Sequence, residues 1–226
     1  MAEDPITTGG KERIEATCAL YKDAFQDDPV ITYLLCGLPA EARRGYLLDY
    51  FKGLLTAAGL NDALFLETDN YSSAAVVMPP EKRVDNPWTL IPAGLVGMVL
   101  RLGLKGGYRM LGEFSPLADS MKAKGLKGAK RYYYVFFLAT NKTARGKGSS
   151  SSLLQRVQTI ARSQGLPVWL EATTEYSWKL YSHLGFETVE QVTLGKNVSS
   201  SEGLQQQGGE GVPVWGMVWF PEHHHS

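Results

Sequence analysis

The chain has 226 residues, of which 44% are hydrophobic and 20% charged, and its 23 Lys and Arg balance 23 Asp and Glu. This length and composition predict one globular domain with a buried core. With no net basic charge, we expect no nucleic-acid partner. Two cysteines, Cys18 and Cys36, are too few for a disulfide framework or a metal cluster, so we expect two buried free thiols.

The chain also lacks the features of a membrane or secreted protein. Its N-terminus, MAEDPITTGG, has neither the basic start nor the apolar core of a signal peptide. The most apolar stretch, residues 89–100, contains Pro92 and is shorter than the ~20 residues that span a bilayer. We therefore expect a cytoplasmic protein, with access to the nucleus left open, and no membrane partner. The terminal histidines, 223–225, have no further ligands beside them, so we expect no metal.

Hydrophobic spacing divides the first half of the chain into two helices, a hairpin and a lid. Residues 11–26 and 40–59 each carry an apolar stripe at helical spacing, and 63–68 with 72–78 form a predicted hairpin. Residues 87–123 are rich in Gly, Met and Leu, which predicts two imperfect helices around 88–103 and 107–123. Within the single domain, 1–226, we interpret this segment as a helical lid over a substrate site. Ordinary helical packing across the sheet is the alternative.

The second half alternates strands and helices. The aromatic run RYYYVFFLAT, 131–140, predicts a central strand because both of its faces are apolar. Residues 195–211 are polar and of low complexity, so we predict a flexible loop there. The remaining predicted elements are a helix at 149–164, a strand at 167–172, a short helix at 175–185, and strands at 186–194 and 212–220.

A glycine loop separates the central strand from the following helix, and three phosphate-binding patterns compete for it. The Walker pattern keeps Lys147 but finds Asn141 in place of its first Gly and Gly148 in place of the hydroxyl residue. The dinucleotide pattern finds Ser151 in place of its third Gly. The pattern [RQ]-G-x-G-x-[GA] fits RGKGSS and departs only at its last position, Ser150.

A strand that runs through a glycine loop into a helix makes an anion site whichever pattern applies. The first helical amides lack partners, and the helix N-terminus carries about half a positive charge. Gly146 and Gly148 let an anion approach the main chain, while Arg145 and Lys147 add positive charge. Ser149 can cap the helix or donate its hydroxyl to a phosphate. A simple serine-capped turn is the structural alternative.

The residues after the loop decide between the patterns. LYSHLGF at 180–186, in order after RGKGSS at 145–150, resembles the acyl-CoA signature and the L-Y-x-x-L-G-F element of the GNAT N-acetyltransferase superfamily. The resemblance is closest to its small-molecule, puromycin-acetyltransferase-like branch, which has an aromatic fourth strand and LEAT-like residues on the fifth, here 170–173. AFQDDP at 24–29 and AAVVMPP at 74–80 also resemble that branch.

The resemblance implies an α/β fold with a mixed, mostly antiparallel seven-stranded sheet, splayed central strands and helices on both faces. It also implies acetyl-CoA as the acyl donor, with its pantetheine arm between the fourth and fifth strands and its pyrophosphate over the glycine loop. Cofactor-binding positions would be the main chain of the fourth strand, the loop and one residue of the short helix: Leu138, Ala139, Thr140, Arg145, Gly146, Lys147, Gly148, Ser149, Ser150 and Ser177.

For the chemistry, the resemblance puts the hydroxyl of Tyr181 beside the sulfur atom, where it would protonate the leaving thiolate. Glu171, near the end of the fifth strand, is the best-placed carboxylate to take a proton from the amine. A strand-end Glu bonded to backbone amides is the alternative. Asp27 and Asp28 are weaker candidates because one of them caps or turns the chain before Pro29.

Aromatic residues indicate what kind of amine is accepted. Residues 132–134 are three consecutive tyrosines, and alternation along the strand predicts that some line a pocket while the rest enter the core. With Tyr71, Trp88 and methionines of the lid they would form an apolar, aromatic site. His183 is expected on the surface.

We therefore predict an acetyl-CoA-dependent N-acetyltransferase acting on a primary amine of a small molecule with a hydrophobic or aromatic body. The enzyme would be a monomer or a homodimer. Two alternatives stay open: a protein or peptide N-acetyltransferase, and a non-catalytic acyl-CoA-binding sensor.

Overall fold

The computed structural model describes residues 5–221 as seven strands, eight α-helices and short 3-10 and π-helical turns. The strands are β1 Ile6–Gly9, β2 Leu64–Thr68, β3 Ser73–Met78, β4 Tyr133–Thr140, β5 Val168–Ala172, β6 Glu187–Leu194 and β7 Val212–Trp219. The helices are α1 Ile14–Ala24, α2 Pro29–Leu35, α3 Ala40–Leu60, α4 Pro87–Leu90, α5 Leu95–Gly107, α6 Ser115–Gly125, α7 Ser149–Arg162 and α8 Glu175–His183. A π-helical segment, Tyr108–Phe114, joins α5 to α6.

All seven strands form one sheet in the order β1-β2-β3-β4-β5-β7-β6. Every neighbouring pair is antiparallel except β4 and β5, which run parallel. The predicted fold class is therefore confirmed: a mixed, mostly antiparallel seven-stranded sheet with helices on both faces. Strand β1 was missed by the analysis of the sequence because its four residues, ITTG, show no buried face.

Alternate residues of the strands supply hydrophobic cores on both faces of the sheet, in three clusters. Phe65, Val76 and Met78 pack with α1, α3 and α5 on one face. Leu66 and Val77 pack on the other face with the apolar stripe of α7, which is Leu153, Leu154, Val157 and Ala161. The apolar stripes predicted for these helices are thus the surfaces that cover the sheet.

Helix α2 is a second difference from the predicted elements. From the sequence we expect Asp27 or Asp28 to cap or turn the chain before Pro29, but we predict no helix after that residue. In the structure these residues also start a new helix, because Asp28 accepts a hydrogen bond from the Ile31 amide and Pro29 occupies the first helical position. Aspartate before proline is a known helix-start signal.

Residues 87–125 form α4, α5, the π-helical segment and α6, in place of the two predicted helices. Glu113 of the π-helical segment accepts hydrogen bonds from the Tyr33 hydroxyl, at 2.6 Å, and from the Gly195 amide, at 2.7 Å. The segment is therefore tied to α2 and to the loop after β6.

The loop at 195–211 contains no α-helix. It is closed by backbone hydrogen bonds such as Gly211 N to Ser199 O at 2.8 Å, and Ser199 is fully buried. Its flexibility stays a prediction.

The two thiols differ. Cys18 is buried, and desolvation raises its pKa to about 11, whereas Cys36 is only half-buried. The expectation of two buried thiols was wrong for Cys36, which follows the last turn of α2. Within residues 5–221, no helix is long and apolar enough to cross a membrane.

Candidate active site

The central strands β4 and β5 separate along their length and open a cleft in the sheet. They pair at only two positions, Tyr133 with Val168 and Tyr134 with Trp169. Beyond these, β4 continues beside β3 as far as Thr140 while β5 pairs with β7. The resulting cleft has a volume of about 1200 Å³ and is lined by both strands, the glycine loop, α8 and the helical segment 87–125, hereafter the lid segment.

The main chain of β4 presents alternate residues to this cleft. The Asn141 amide donates to the Ser72 carbonyl of the β3 side at 2.8 Å, and the Ala139 carbonyl accepts from Ser73 Oγ at 3.0 Å. Because backbone groups alternate in direction along an antiparallel strand, Leu138 and Thr140 direct their amides and carbonyls toward the cleft. Of the three β4 positions predicted to bind the cofactor, Ala139 therefore differs, since its carbonyl is engaged with β3.

The glycine loop ends at the N-terminus of α7, at the edge of the cleft. Gly146 and Gly148 have φ angles of 79° and 86°, in the left-handed region that favours glycine. Gly148 is the N-cap residue of α7, so no side chain caps the helix and the first amides stay available to an anion. The first helical bond within α7 is donated by the Ser152 amide to Gly148.

The side chains of the loop divide between the cleft and solvent. Arg145, Ser149 and Ser150 line the cleft, while Lys147 is exposed outside it. The one departure from the signature, Ser150, holds its hydroxyl 2.6 Å from Thr140 Oγ1 at the end of β4. The additional side chain is thus accommodated by a contact with the strand.

Tyr181 and Ser177 lie on α8, which forms one wall of the cleft. Tyr181 is buried, and its pKa is raised, first by desolvation and then by the negative charge of Asp28. The phenol is therefore protonated throughout the neutral range. Ser177 forms a capping box with Thr174, because its amide donates to Thr174 Oγ1 at 3.1 Å and its hydroxyl accepts from the Thr174 amide at 3.2 Å.

Glu171 lies half-buried on β5, facing the cleft. Its Oε1 accepts a hydrogen bond from Trp169 Nε1 at 2.6 Å, and Tyr134 also donates to the carboxylate. Desolvation raises the pKa of Glu171, and the nearby Lys122 ammonium of α6 partly opposes that shift. The alternative role for Glu171 was that of a strand-end residue bonded to backbone amides. In the structure its hydrogen-bond partners are instead the side chains of Trp169 and Tyr134.

A second carboxylate, Asp28, also reaches the cleft. Besides capping α2, it accepts from Thr173 Oγ1 at 2.6 Å, and desolvation raises its pKa. From the sequence, Asp28 ranks below Glu171 because a helix cap or turn explains it, and no local signal places it beside the opened sheet. Asp27, by contrast, is exposed and pairs with Lys142 at 3.1 Å.

The acceptor end of the cleft is aromatic, although two predicted members are absent from it. Tyr132 and Tyr134 line the cleft, together with Met98 and Met110 of the lid segment, while Tyr133 points into the opposite core. The prediction that Tyr71 and Trp88 line the acceptor site was wrong. Further lining aromatic residues, not predicted, are Phe25, Phe114, Phe136 and Phe137.

Trp88 is 89% exposed on α4. Tyr71 lies outside the cleft, and its amide binds the Glu67 carboxylate across the β2–β3 turn. The sequence did not predict where the side chains of Tyr71 and Trp88 point, because both residues follow turns.

His183 is on the surface, with Nδ1 2.7 Å from the Lys179 carbonyl. Residues 223–225 lie outside the described residues. Among residues 5–221, His, Cys, Asp and Glu side chains form no cluster of three or more that would hold a metal ion.

Comparison with known proteins agrees with this architecture. A model of the acetyltransferase (GNAT) family matches residues 89–186, which run from the lid to the end of the L-Y-x-x-L-G-F element. An uncharacterised N-acetyltransferase of Schizosaccharomyces pombe is 27% identical over 192 residues, covering 82% of this chain and 77% of the relative.

Two solved structures share the fold at low identity. The polyamine N-acetyltransferase of Drosophila melanogaster, which forms N-acetylagmatine, superposes with a TM-score of 0.62 at 15% identity, covering 95% of this chain and 99% of that one. A mosquito arylalkylamine N-acetyltransferase-like protein gives 0.60 at 18% identity, with 95% and 99% coverage.

The splayed sheet and the glycine loop are those of the GNAT fold, and residues 89–186 match the acetyltransferase (GNAT) family. Members of the superfamily use acetyl-CoA as co-substrate. The residues present fit it: uncapped amides at the α7 N-terminus suit the pyrophosphate, and the free edge of β4 suits the pantetheine amides.

Proposed function

We propose that the protein acetylates a primary amine of a small molecule whose body is hydrophobic or aromatic. The observation that carries this proposal is the continuity of the cleft. It runs from the uncapped N-terminus of α7, past Tyr181, to an aromatic recess beneath the lid segment. The donor and acceptor would thus meet between β4 and β5.

For donor binding, the amides of 149–151 and the side chain of Arg145 would hold the pyrophosphate. The main-chain groups of Leu138 and Thr140 would pair with the pantetheine arm as an added strand. Exposed Lys147 would contribute charge at the rim of the loop. Ser177, in the first turn of α8 where that helix lines the cleft, would contact the pantetheine arm. Acetyl-CoA, when bound, supplies an acetyl group activated as a thioester.

For proton transfer, Tyr181 would donate its phenolic proton to the departing sulfur atom. Its raised pKa suits this direction, since the hydroxyl is protonated before the reaction. Glu171 would accept the proton that the attacking ammonium group must lose. Its raised pKa makes it a stronger base than an exposed carboxylate, and the nearby Lys122 ammonium favours its ionised form.

The acceptor class follows from the walls of the recess. Phe114, Tyr132, Tyr134 and Met110 give it an apolar surface, and Glu171 lies at its inner end. Such a site favours an amine with an apolar body, because burial of that body releases its hydration water. The lid segment over the recess disfavours a protein substrate. The small-molecule branch of the superfamily and a cytoplasmic location are part of this proposal.

Thiol release from acetyl-CoA tests the proposal across four acceptor classes: arylalkylamines, aminonucleosides, polyamines including agmatine, and a lysine-containing peptide. The related folds include enzymes whose names specify arylalkylamines and agmatine, so both classes belong in the panel. We expect the highest kcat/KM with an aryl or aminonucleoside acceptor. A preference for polyamines or for the peptide contradicts the substrate class, and tight CoA binding without turnover on any amine supports the sensor instead.

A further inference from the structure

The lid segment carries an exposed apolar row that the fold leaves uncovered. Val96, Leu100, Leu104 and Tyr108 recur at every fourth residue of α5 and the π-helical segment. The backbone at Gly103 is not helical, with φ of 68° and ψ of −179°, so this row crosses a kink between Leu100 and Leu104. Leu104 is 96% exposed, Leu100 76% and Tyr108 66%. Trp88 of α4 and Ile91, which follows that helix, are exposed as well.

The opposite side of the same helix is already buried. Leu95, Met98 and Leu102 pack into the core beside α3. The helix is therefore apolar on two sides, one facing the core and the other facing water. Isolated exposed apolar residues are ordinary, but several within one short segment mark a surface that meets another apolar phase.

The charges around the row indicate what that phase is. Between Asp85 and Glu113 the chain has no acidic residue, and its charged residues are Arg101, Lys105 and Arg109, again at every fourth position. Lys105 is exposed beside Leu104. Arg109 stacks on the Tyr33 ring at 5.2 Å and Arg101 on the Tyr46 ring at 4.6 Å, which leaves Lys105 for contact with lipid. Exposed apolar and aromatic residues beside a cation are typical of a segment that lies in the interface of an anionic bilayer.

The same charges disfavour a second copy of the chain as the cover. In a two-fold interface the row would meet itself, so the basic residues of one copy would face those of the other. One partial compensation exists, since Arg101 lies 3.7 Å from Asp49 of α3. Lys105 is not in such a pair among the ion pairs of residues 5–221.

We propose that the row formed by Leu100, Leu104 and Tyr108, with Lys105 beside it, docks the protein on the surface of an anionic lipid bilayer. This proposal departs from the expectation of no membrane partner, which rested on the length needed to span a bilayer. Interfacial docking requires one apolar face and cations, and the absence of a spanning helix does not bear on it. Val96, Leu100 and Leu111 also line the mouth of the cleft, so docking would turn that mouth toward the lipid.

Co-sedimentation of the full chain with vesicles tests the proposal, using phosphatidylcholine vesicles with and without phosphatidylserine. We expect binding that needs phosphatidylserine and weakens with added salt. Leu104→Asp should lower the partition coefficient about tenfold or more, because it removes an apolar anchor. Lys105→Glu should lower it at least fivefold on anionic vesicles.

The matched control is Phe220→Asp, which places an Asp on an exposed apolar residue after β7, outside the surfaces that Leu100, Leu104 and Tyr108 line. It should bind like the wild type, and thermal melting of each variant without lipid checks folding. Three outcomes overturn the proposal. One is no wild-type binding at about 1 mM lipid, where a partition coefficient of ~10⁴ M⁻¹ gives nearly full binding. Another is an equal loss in Phe220→Asp.

The third is a wild-type dimer in lipid-free sedimentation velocity that Leu104→Asp converts to a monomer. In that case a second copy covers the row. Because none of these measurements depends on acetyl transfer, failure here is distinguishable from failure of the proposed activity.

Discussion

The cleft sets the protonation states of its side chains by withdrawing them from water. Desolvation penalises a charged phenolate and a charged carboxylate alike, so the pKa values of Tyr181, Glu171 and Asp28 all rise. The raised pKa keeps the Tyr181 phenol protonated before the reaction. The raised pKa values of Glu171 and Asp28 make their carboxylates stronger bases. The same physical cause thus prepares one group to donate and the others to accept.

At Tyr181, replacement by Phe removes the hydroxyl and keeps the ring that packs 6.1 Å from Phe186. We expect kcat to fall by roughly 10²-fold or more, since the leaving sulfur loses its proton donor. The dissociation constant for CoA should stay near the wild-type value, and titration calorimetry checks it. A variant with unchanged kcat would assign Tyr181 to the core alone.

At Glu171, the pH dependence of kcat/KM identifies the base. The carboxylate is active only when ionised, so activity should fall as pH decreases through its raised pKa, at a higher pH than for an exposed Glu, whose pKa is about 4.3. Glu171→Gln should lower kcat/KM by about 10²-fold and remove this acid limb.

Asp28→Asn is the matched comparison. It keeps the helix cap, because Asn caps as well as Asp, so the fold should be retained. We expect its acid limb to survive. If Asp28→Asn abolishes the limb and Glu171→Gln does not, the base is Asp28, and the role proposed for Glu171 is wrong.

At the scale of elements, the lid segment is fixed at its C-terminal end by close packing of α6 on the sheet. A Cβ on Gly125 would lie 2.5 Å from the Trp169 ring and 2.6 Å from Val189. Gly216 of β7 is similarly close to Met121 and Trp169. These glycines let α6 approach β5, β6 and β7, which positions Lys122 near Glu171.

Gly125→Ala should therefore destabilise the fold by about 1–3 kcal/mol, as overpacking of a core does. Gly97→Ala, in α5, is the control, because a Cβ there meets nothing within 4 Å. It should stabilise by up to ~1 kcal/mol through helix propensity. Urea denaturation measures both, and equal effects of the two substitutions contradict the packing argument.

At the scale of the whole molecule, the cleft divides the sheet into two parts that share only two β4–β5 residue pairs. A ligand that fills the gap adds contacts to both parts and exists only in the folded state. CoA should therefore stabilise the entire fold by mass action.

At 100 times its dissociation constant, CoA should add about 2.7 kcal/mol and raise Tm by roughly 5–10 °C. Differential scanning fluorimetry measures the shift. Gly148→Val is the comparison variant: its φ of 86° suits glycine, so a β-branched residue strains the loop. The rise with CoA should shrink in that variant. No shift in the wild type at millimolar CoA contradicts the proposed binding site.

The sequence by itself determined the order of most elements, the glycine loop and the GNAT class. Helical spacing on α3 and α7 and the aromatic run of β4 are local patterns, and each reflects a face that must be buried. The motifs RGKGSS and LYSHLGF are also local, so they needed no tertiary information. Strand β1 and helix α2 escaped because short elements carry too little periodicity.

Only the tertiary structure decided which side chains share the cleft. Asp28 lies far along the chain from Thr173 and Tyr181, yet the opened sheet brings the three together. Trp88 and Tyr71, which composition assigned to the site, point elsewhere because turns set their directions. Contacts between residues distant in sequence depend on how helices and strands pack, and no local pattern encodes that packing.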